Sequence, residues 1–504
     1  MSNPGLSRAA FGLAAACVCV VSHSALGQSP QPREVAAVSS VQDESAVFET
    51  TLAVGEERVM SVFHAVPAQG FFEIGYAVAT LDPNSGEWAW TEEGLIDPNG
   101  FTDVGLADPS VAYDSVTGDF VVCALVRDQT RVVVARYDAS ADPPQFGAWE
   151  TMGPTGFSYD KPWIVAGEIM SWTGPPGFGP GQEPTQFQEF YITWSGDDRL
   201  KYLRSTDGGH NWIGGDALTD PNDPNSIIAG PFLPAPRVYD TRPLYVVYQP
   251  TSDISVAFAR GNDLGAPHQG EVKFTRLLDP NGAPLTVDFN LLRTALIGVV
   301  PPFSVQQGAR GPGYDLAADP TDADRLFLVY HDTATLAFDP NNQLVDADVN
   351  IYLRVLTRVQ GAKWSVGERI LVADDDVGEI ETDQFMPAID VDEDGGIHII
   401  YYDDRNYEQD DDEQNPRYDV FYAFSDDQGD SWIERELCDD PQNDCAESEP
   451  AADFSDDAIG FTIRDYIGID VGADRVWTCF MGTSDEQDPN PNQSVIWSTQ
   501  IVLP

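Results

Sequence analysis

Ser205-Thr-Asp207-Gly-Gly209-His-Asn-Trp212 and Ser425-Asp-Asp427-Gln-Gly429-Asp-Ser-Trp432 share one spacing, S-x-D-x-G-x-x-W, and their reading decides the fold. Each follows a run of strand formers, Leu200–Arg204 in the first case and Asp419–Phe424 in the second. An Asp side chain bonds nearby backbone amides and Gly accepts positive φ, so each octet predicts a hairpin tip closed by a tryptophan.

Outward from the octets the chain repeats. Trp88, Trp149, Trp212 and Phe274 follow one another at intervals close to sixty residues; Trp364 comes later because of the turn-rich stretch Leu277–Pro302, and Trp432 follows it. Ser85-Gly-Glu-Trp88 and Gly361-Ala-Lys-Trp364 keep the Gly and Trp of the octet without its Ser-x-Asp. The first half of each unit is an apolar strand, an acidic or Gly turn and a second apolar strand, as in Pro109–Val126, Pro162–Trp194, Pro236–Tyr248, Tyr314–Tyr330, Pro387–Tyr402 and Tyr466–Phe480. Alternation and Val, Ile, Tyr and Phe enrichment between turn signals argue strand over helix. Four strands in about sixty residues, repeated, predicts an all-β propeller of four-stranded blades, because radial closure removes exposed sheet edges. Seven units can be counted, with six as the alternative if a terminal unit is partial.

The octets resemble the Asp-box (BNR) repeat of sialidase-like β-propellers, in which the box joins the two outer strands of a blade. That resemblance covers nearly the whole chain after residue 45. It implies that Ser205, Asp207, Gly209, Trp212, Ser425, Asp427, Gly429 and Trp432 are structural, on the face away from any active site. It also implies that loops entering each innermost strand, and loops between second and third strands, open on the other rim. Glycosidases of this superfamily hold a substrate carboxylate with arginines, use an Asp as acid/base and attack with a Tyr, outside the usual two-carboxylate scheme. Carried over here, Tyr466 is the nucleophile candidate, Asp108 or Asp160 the acid/base, and Arg310, Arg464, Lys161 and Arg237 the substrate-binding groups. His64, Arg127, His331, Asp332, Asp403 and Arg405 share that rim. The chain departs from the pattern in lacking any Arg-Ile-Pro triplet.

The termini and composition bound the rest. Met1–Arg8 carries one positive charge, Ala9–Val21 is apolar and Ala25-Leu-Gly27 is small, which predicts a secretory signal peptide over 1–27, then a linker or ring-closing segment over 28–45 and the propeller over 46–504. Export to the periplasm or outside the cell is expected, without membrane insertion. The formal charge is -55, from 82 acidic and 27 basic residues. Such a surface excludes nucleic acid as a partner, since that needs a concentrated basic face. A monomer acting on a glycan or glycoprotein is expected, as an exo-acting glycoside hydrolase, with a non-catalytic carbohydrate-binding or protein-interaction scaffold as the alternative. No cofactor is required, and calcium is the one cation expected, at Asp403, Asp404, Asp410 and Asp412, where hard oxygens crowd. Asp390-Val-Asp-Glu-Asp394-Gly395 opens like a calcium loop, but Tyr401 stands where its closing Glu belongs, so a hairpin turn is expected. Cys438 and Cys445 flank a polar loop suited to a local disulfide in an oxidising compartment, while Cys123 and Cys479 lie in apolar strands and read as buried hydrophobes.

Overall fold

The computed structural model describes residues 31–37, 44–67, 72–98, 100–101, 104–153, 155–156, 159–172, 185–196, 199–216, 235–237, 244–248, 254–259, 275–287, 313–338, 344–361, 363–373, 384–403, 405, 419–437, 439–440, 443–444, 467–472, 474–483 and 494–503. Every regular element among them is a β-strand.

Six sheets are each folded from one contiguous stretch, covering 44–95, 106–152, 160–216, 235–287, 314–373 and 384–436, and in each a path of four antiparallel strands runs in sequence order. Short extra strands at Gln145–Phe146, Thr286–Val287 and Ile370–Ala373 pair beside three of them. A further sheet joins the two ends of the chain: Gly468–Val471, Arg475–Thr483 and Ser494–Val502 are completed by Gln31–Ala37, which lies antiparallel along Ser494–Val502. The self-contained blades are thus six, not the seven favoured from the sequence, because the last unit is completed only by pairing the two ends of the chain. The first inner strand is Glu44–Val54. Leu277–Val287, the start of the stretch read as an insertion, belongs to the fourth sheet.

The first strand of each sheet touches the first strand of the next, in a circuit that returns from Gly468–Val471 to Glu44–Val54. The apolar side chains pack between sheets: Met60, Ile74, Val122 and Tyr137 join the first to the second, and Phe327, Ile351, Ile399 and Tyr401 the fifth to the sixth. Such alternation on both faces of a sheet follows when each sheet is sandwiched by two neighbours. The chain is thus an all-β propeller of four-stranded sheets.

Both octets are hairpin tips between the third and fourth strands. Ser205 Oγ accepts from Gly209 N at 2.8 Å, and Asp207 accepts from Asn211 N at 2.8 Å. In the second, Ser425 Oγ accepts from Gly429 N at 2.8 Å and Asp427 from Ser431 N at 2.9 Å. Burial opposes the ionised form of Asp207, yet hydrogen bonds from Asn211 and Ser205 hold its carboxyl below the ordinary range. The glycines do more than turn: Gly429 has φ 93°, and a Cβ there would stand 3.1 Å from Leu353 of the preceding sheet. Asp392, in the suspected calcium loop, instead closes a hairpin by accepting from Gly396 N at 2.7 Å, and Asp390 accepts from Val471 N at 2.9 Å.

Candidate functional site

Four inner strands break register at the same place. The bulges fall between Phe48 and Thr51, Ala107 and Ser110, Asp160 and Trp163, and Phe385 and Ala388. At each, one residue takes a left-handed backbone: Glu49 at φ 52°, Asp108 at 51°, Lys161 at 49° and Met386 at 52°. Pro109, Pro162 and Pro387 follow three of them. A proline lacks the N–H that a ladder needs, so it survives in an inner strand only at a bulge. Left-handed backbone at non-glycine residues is strain that surrounding structure must hold, and it concentrates at functional sites.

The first three bulges belong to consecutive sheets and face one another on the rim where the inner strands enter. Glu49, Asp108 and Lys161 are 4%, 9% and 3% exposed. His64, at the end of the second strand of the first sheet, is buried with them, its Nδ1 3.3 Å from Glu49 Oε2. One side-chain atom from each of Glu49, His64 and Asp108 lies within 4.8 Å of the others. Asp108 is hydrogen-bonded to the Glu49 carboxyl, and two carboxyls can bond only when one of them keeps a proton. Burial and the Glu49 charge push the Asp108 carboxyl up to about 7, with Lys161 and His64 pulling the other way. This is the coupling expected of two carboxylates sharing a site. Phe72 packs against His64 with its ring tilted by 56° and the ring centres 4.6 Å apart, and the exposed Arg127 guanidinium lies 3.9 Å from the Phe72 centroid.

Of the residues expected at the site, Asp108 and Lys161 come together. Asp160 precedes Lys161 and pairs with Ser195 across the sheet. Arg237 lies on a short inner strand of the fourth sheet. Tyr466, Arg310 and Arg464 lie outside the described residues, as do Asp404, Asp410, Asp412, Cys438 and Cys445. Asp403 is fully buried, with both oxygens engaged by Arg405: Oδ1 accepts from its backbone N at 2.7 Å and Oδ2 from Nη2 at 2.6 Å. A guanidinium, further held by Glu434 and the Phe421 ring, thus already fills the cation's place expected beside Asp403. Glu49 is the residue that sequence reasoning missed. No proline follows it, but the x-Pro pairs at Asp108-Pro109, Lys161-Pro162 and Met386-Pro387 mark the repeated bulge from which its position can be counted.

A cavity of about 500 Å3 lies on the axis, lined by Val54, Tyr113, Gly167, Val391 and Gly472 near the exit ends of the inner strands. Its lining does not include Glu49, His64, Asp108 or Lys161. The chemistry-bearing cluster is therefore at the entry rim and this cavity on the other side of the bulges.

No family model and no curated protein matches the chain. Among solved structures it is similar to the intramolecular trans-sialidase of Ruminococcus gnavus, with 9% identity over 73% of this chain and 92% of that one, and a TM-score of 0.40. It is also similar to a Trypanosoma rangeli sialidase, with 8% identity, 90% and 54% coverage and a TM-score of 0.36. A GH74 xyloglucanase from Xanthomonas campestris gives 12% identity, 92% and 55% coverage and a TM-score of 0.41. The chain spans little more than half the length of the last two. At these scores none of the three assigns it a function.

Proposed function

We propose that the protein is an exported, glycan-directed propeller that hydrolyses a glycosidic bond at the entry rim, with Asp108 as the proton donor. The carrying observation is the Glu49–Asp108 pair: a carboxyl that keeps its proton up to about 7 is a general acid at neutral pH. The two groups are in hydrogen-bond contact, closer than the roughly 5 Å at which two carboxylates flank a glycosidic bond from opposite faces. They supply the acid half of the reaction together, and the nucleophile comes from another rim residue, for which Tyr466 is the candidate. As Asp108 gives its proton to the leaving oxygen, the glycosidic bond breaks and the nucleophile bonds the anomeric carbon, with the new Asp108 carboxylate stabilised by Lys161 and His64; water then displaces the nucleophile from that carbon and returns a proton to Asp108. Arg127, whose guanidinium carbon lies 3.9 Å from the Phe72 centroid, would offer its fork to sugar hydroxyls beside the pair.

Turnover of a panel of fluorogenic sialosides and neutral glycosides tests this reading. Cleavage of any member that is lost in Asp108→Asn supports it. If no glycoside is cleaved but an immobilised glycan is retained, a carbohydrate-binding propeller replaces the hydrolase.

A further inference from the structure

We propose that Glu49, His64 and Asp108 form a binding site for one divalent transition-metal ion. The donors come from two neighbouring sheets and converge: Glu49 Oε2 and His64 Nδ1 are 3.3 Å apart, and an Asp108 oxygen completes a triangle within 4.8 Å. Metal–donor bonds of about 2.0–2.2 Å require donors spaced about 3–4 Å apart, which this triangle approaches. All three side chains are at least nine-tenths buried, so little side-chain freedom is lost on binding. Two of them stand on left-handed bulges fixed by strand pairing on both sides, and the third packs against the tilted ring of Phe72. One imidazole with two carboxylates selects zinc, manganese or iron(II) over calcium, which prefers oxygen alone.

Positive charge already near the cluster works against the ion. Lys161 acts on Asp108 from the third sheet, and Arg127 lies against Phe72 on the other side. The buried ammonium of Lys161, which already acts on Asp108, repels a dication and so weakens its binding. An ion bound here occupies the Asp108 oxygen that the acid would use and so blocks it. Inhibition by metal rests on the proposed hydrolysis, whereas binding of the metal does not.

Calorimetry with zinc chloride and, separately, manganese chloride on the full chain tests binding directly. The expected result is one tight equivalent in the wild type that is lost in Glu49→Gln and in Asp108→Asn, both near-isosteric. Lys161→Met should tighten it by about tenfold or more, as removal of a like charge in a low-dielectric site predicts. Should Lys161→Met not fold, the two carboxyl variants carry the test, each checked by its melting curve. No binding to the folded wild type, or binding unchanged in both carboxyl variants, overturns the proposal. If the metal binds as expected but no glycoside is cleaved, the metal site stands and the hydrolase reading falls.

Discussion

Asp470 Oδ2 accepts a hydrogen bond from the backbone N of Val54 at 2.7 Å, tying the last inner strand to the first across 416 residues of sequence. The same device ties the sixth sheet to the seventh, where Asp390 accepts from Val471 N at 2.9 Å, and the fifth to the sixth, where Asp315 accepts from Ile389 N at 3.1 Å. Between the second and third sheets a hydroxyl takes over, with Ser110 Oγ accepting from Ile164 N at 3.2 Å. An inner strand's outward N–H has no strand partner on the channel side, and a neighbour's side chain supplies the missing acceptor. Asp470→Ala should lower stability by about 1–3 kcal/mol, the cost of an unmet amide. Asp470→Asn, which keeps an acceptor oxygen, should lose less; denaturant midpoints that rank the two the other way would contradict this closure.

In the second octet the serine carries more than the aspartate. Ser425 Oγ satisfies the buried Gly429 amide, whereas Asp427 bonds the exposed Ser431. Ser425→Ala is expected to cost about 1–3 kcal/mol and Asp427→Ala about 1 kcal/mol. Neither should change the affinity of the folded protein for a glycan. A loss of affinity at an unchanged melting temperature would place the octet in the site.

Asp108 sets a pH dependence of stability. Its carboxyl rises from the ordinary range to about 7 on folding, so the native state binds a proton more tightly than the unfolded chain. The resulting stabilisation is complete at acid pH, below the unfolded value, and drains away as pH climbs toward about 7. Melting curves of wild type and Asp108→Asn should therefore differ in slope across that interval, with the wild type losing more stability. Parallel curves would show that Asp108 ionises normally.

The described cysteines, Cys123 and Cys479, are buried and free, and burial pushes the Cys479 thiol up to about 12. Both should resist alkylation in the native protein. Asp439–Asp440 and Asn443–Asp444 form an antiparallel pair with Asp439 opposite Asp444, and Cys438 and Cys445 are the next residues outward in sequence. Mass spectrometry without reduction should find those two in one cross-linked peptide, a short loop worth about 2–3 kcal/mol. Alkylation of either one without reduction would refute the bond.

Local chemistry made the propeller legible: the Ser-x-Asp-x-Gly-x-x-Trp turns act over eight residues, and strand alternation acts within one sheet. The composite sheet was less so, because nothing local to Gln31–Ala37 names Ser494–Val502 as its partner. Asp108 and Lys161 could be placed on the rim from their position before an inner strand. Glu49 could be placed only by counting from the repeated bulge, since no proline follows it and a charged residue within an apolar strand otherwise reads as a solvated one. The partner of Asp403 was hidden for a related reason. Arg405 is two residues away, and only the folded hairpin shows that it turns back to occupy both carboxylate oxygens.

Asp108 as an acid at the rim is tested most directly by the pH profile of glycoside turnover in wild type and Asp108→Asn, with folding verified by melting. The prediction is an alkaline limb in the wild type that falls near pH 7, where the donor loses its proton, and a loss of about 100-fold or more in kcat/KM for the variant. Turnover that persists in Asp108→Asn with the same alkaline limb would contradict the account.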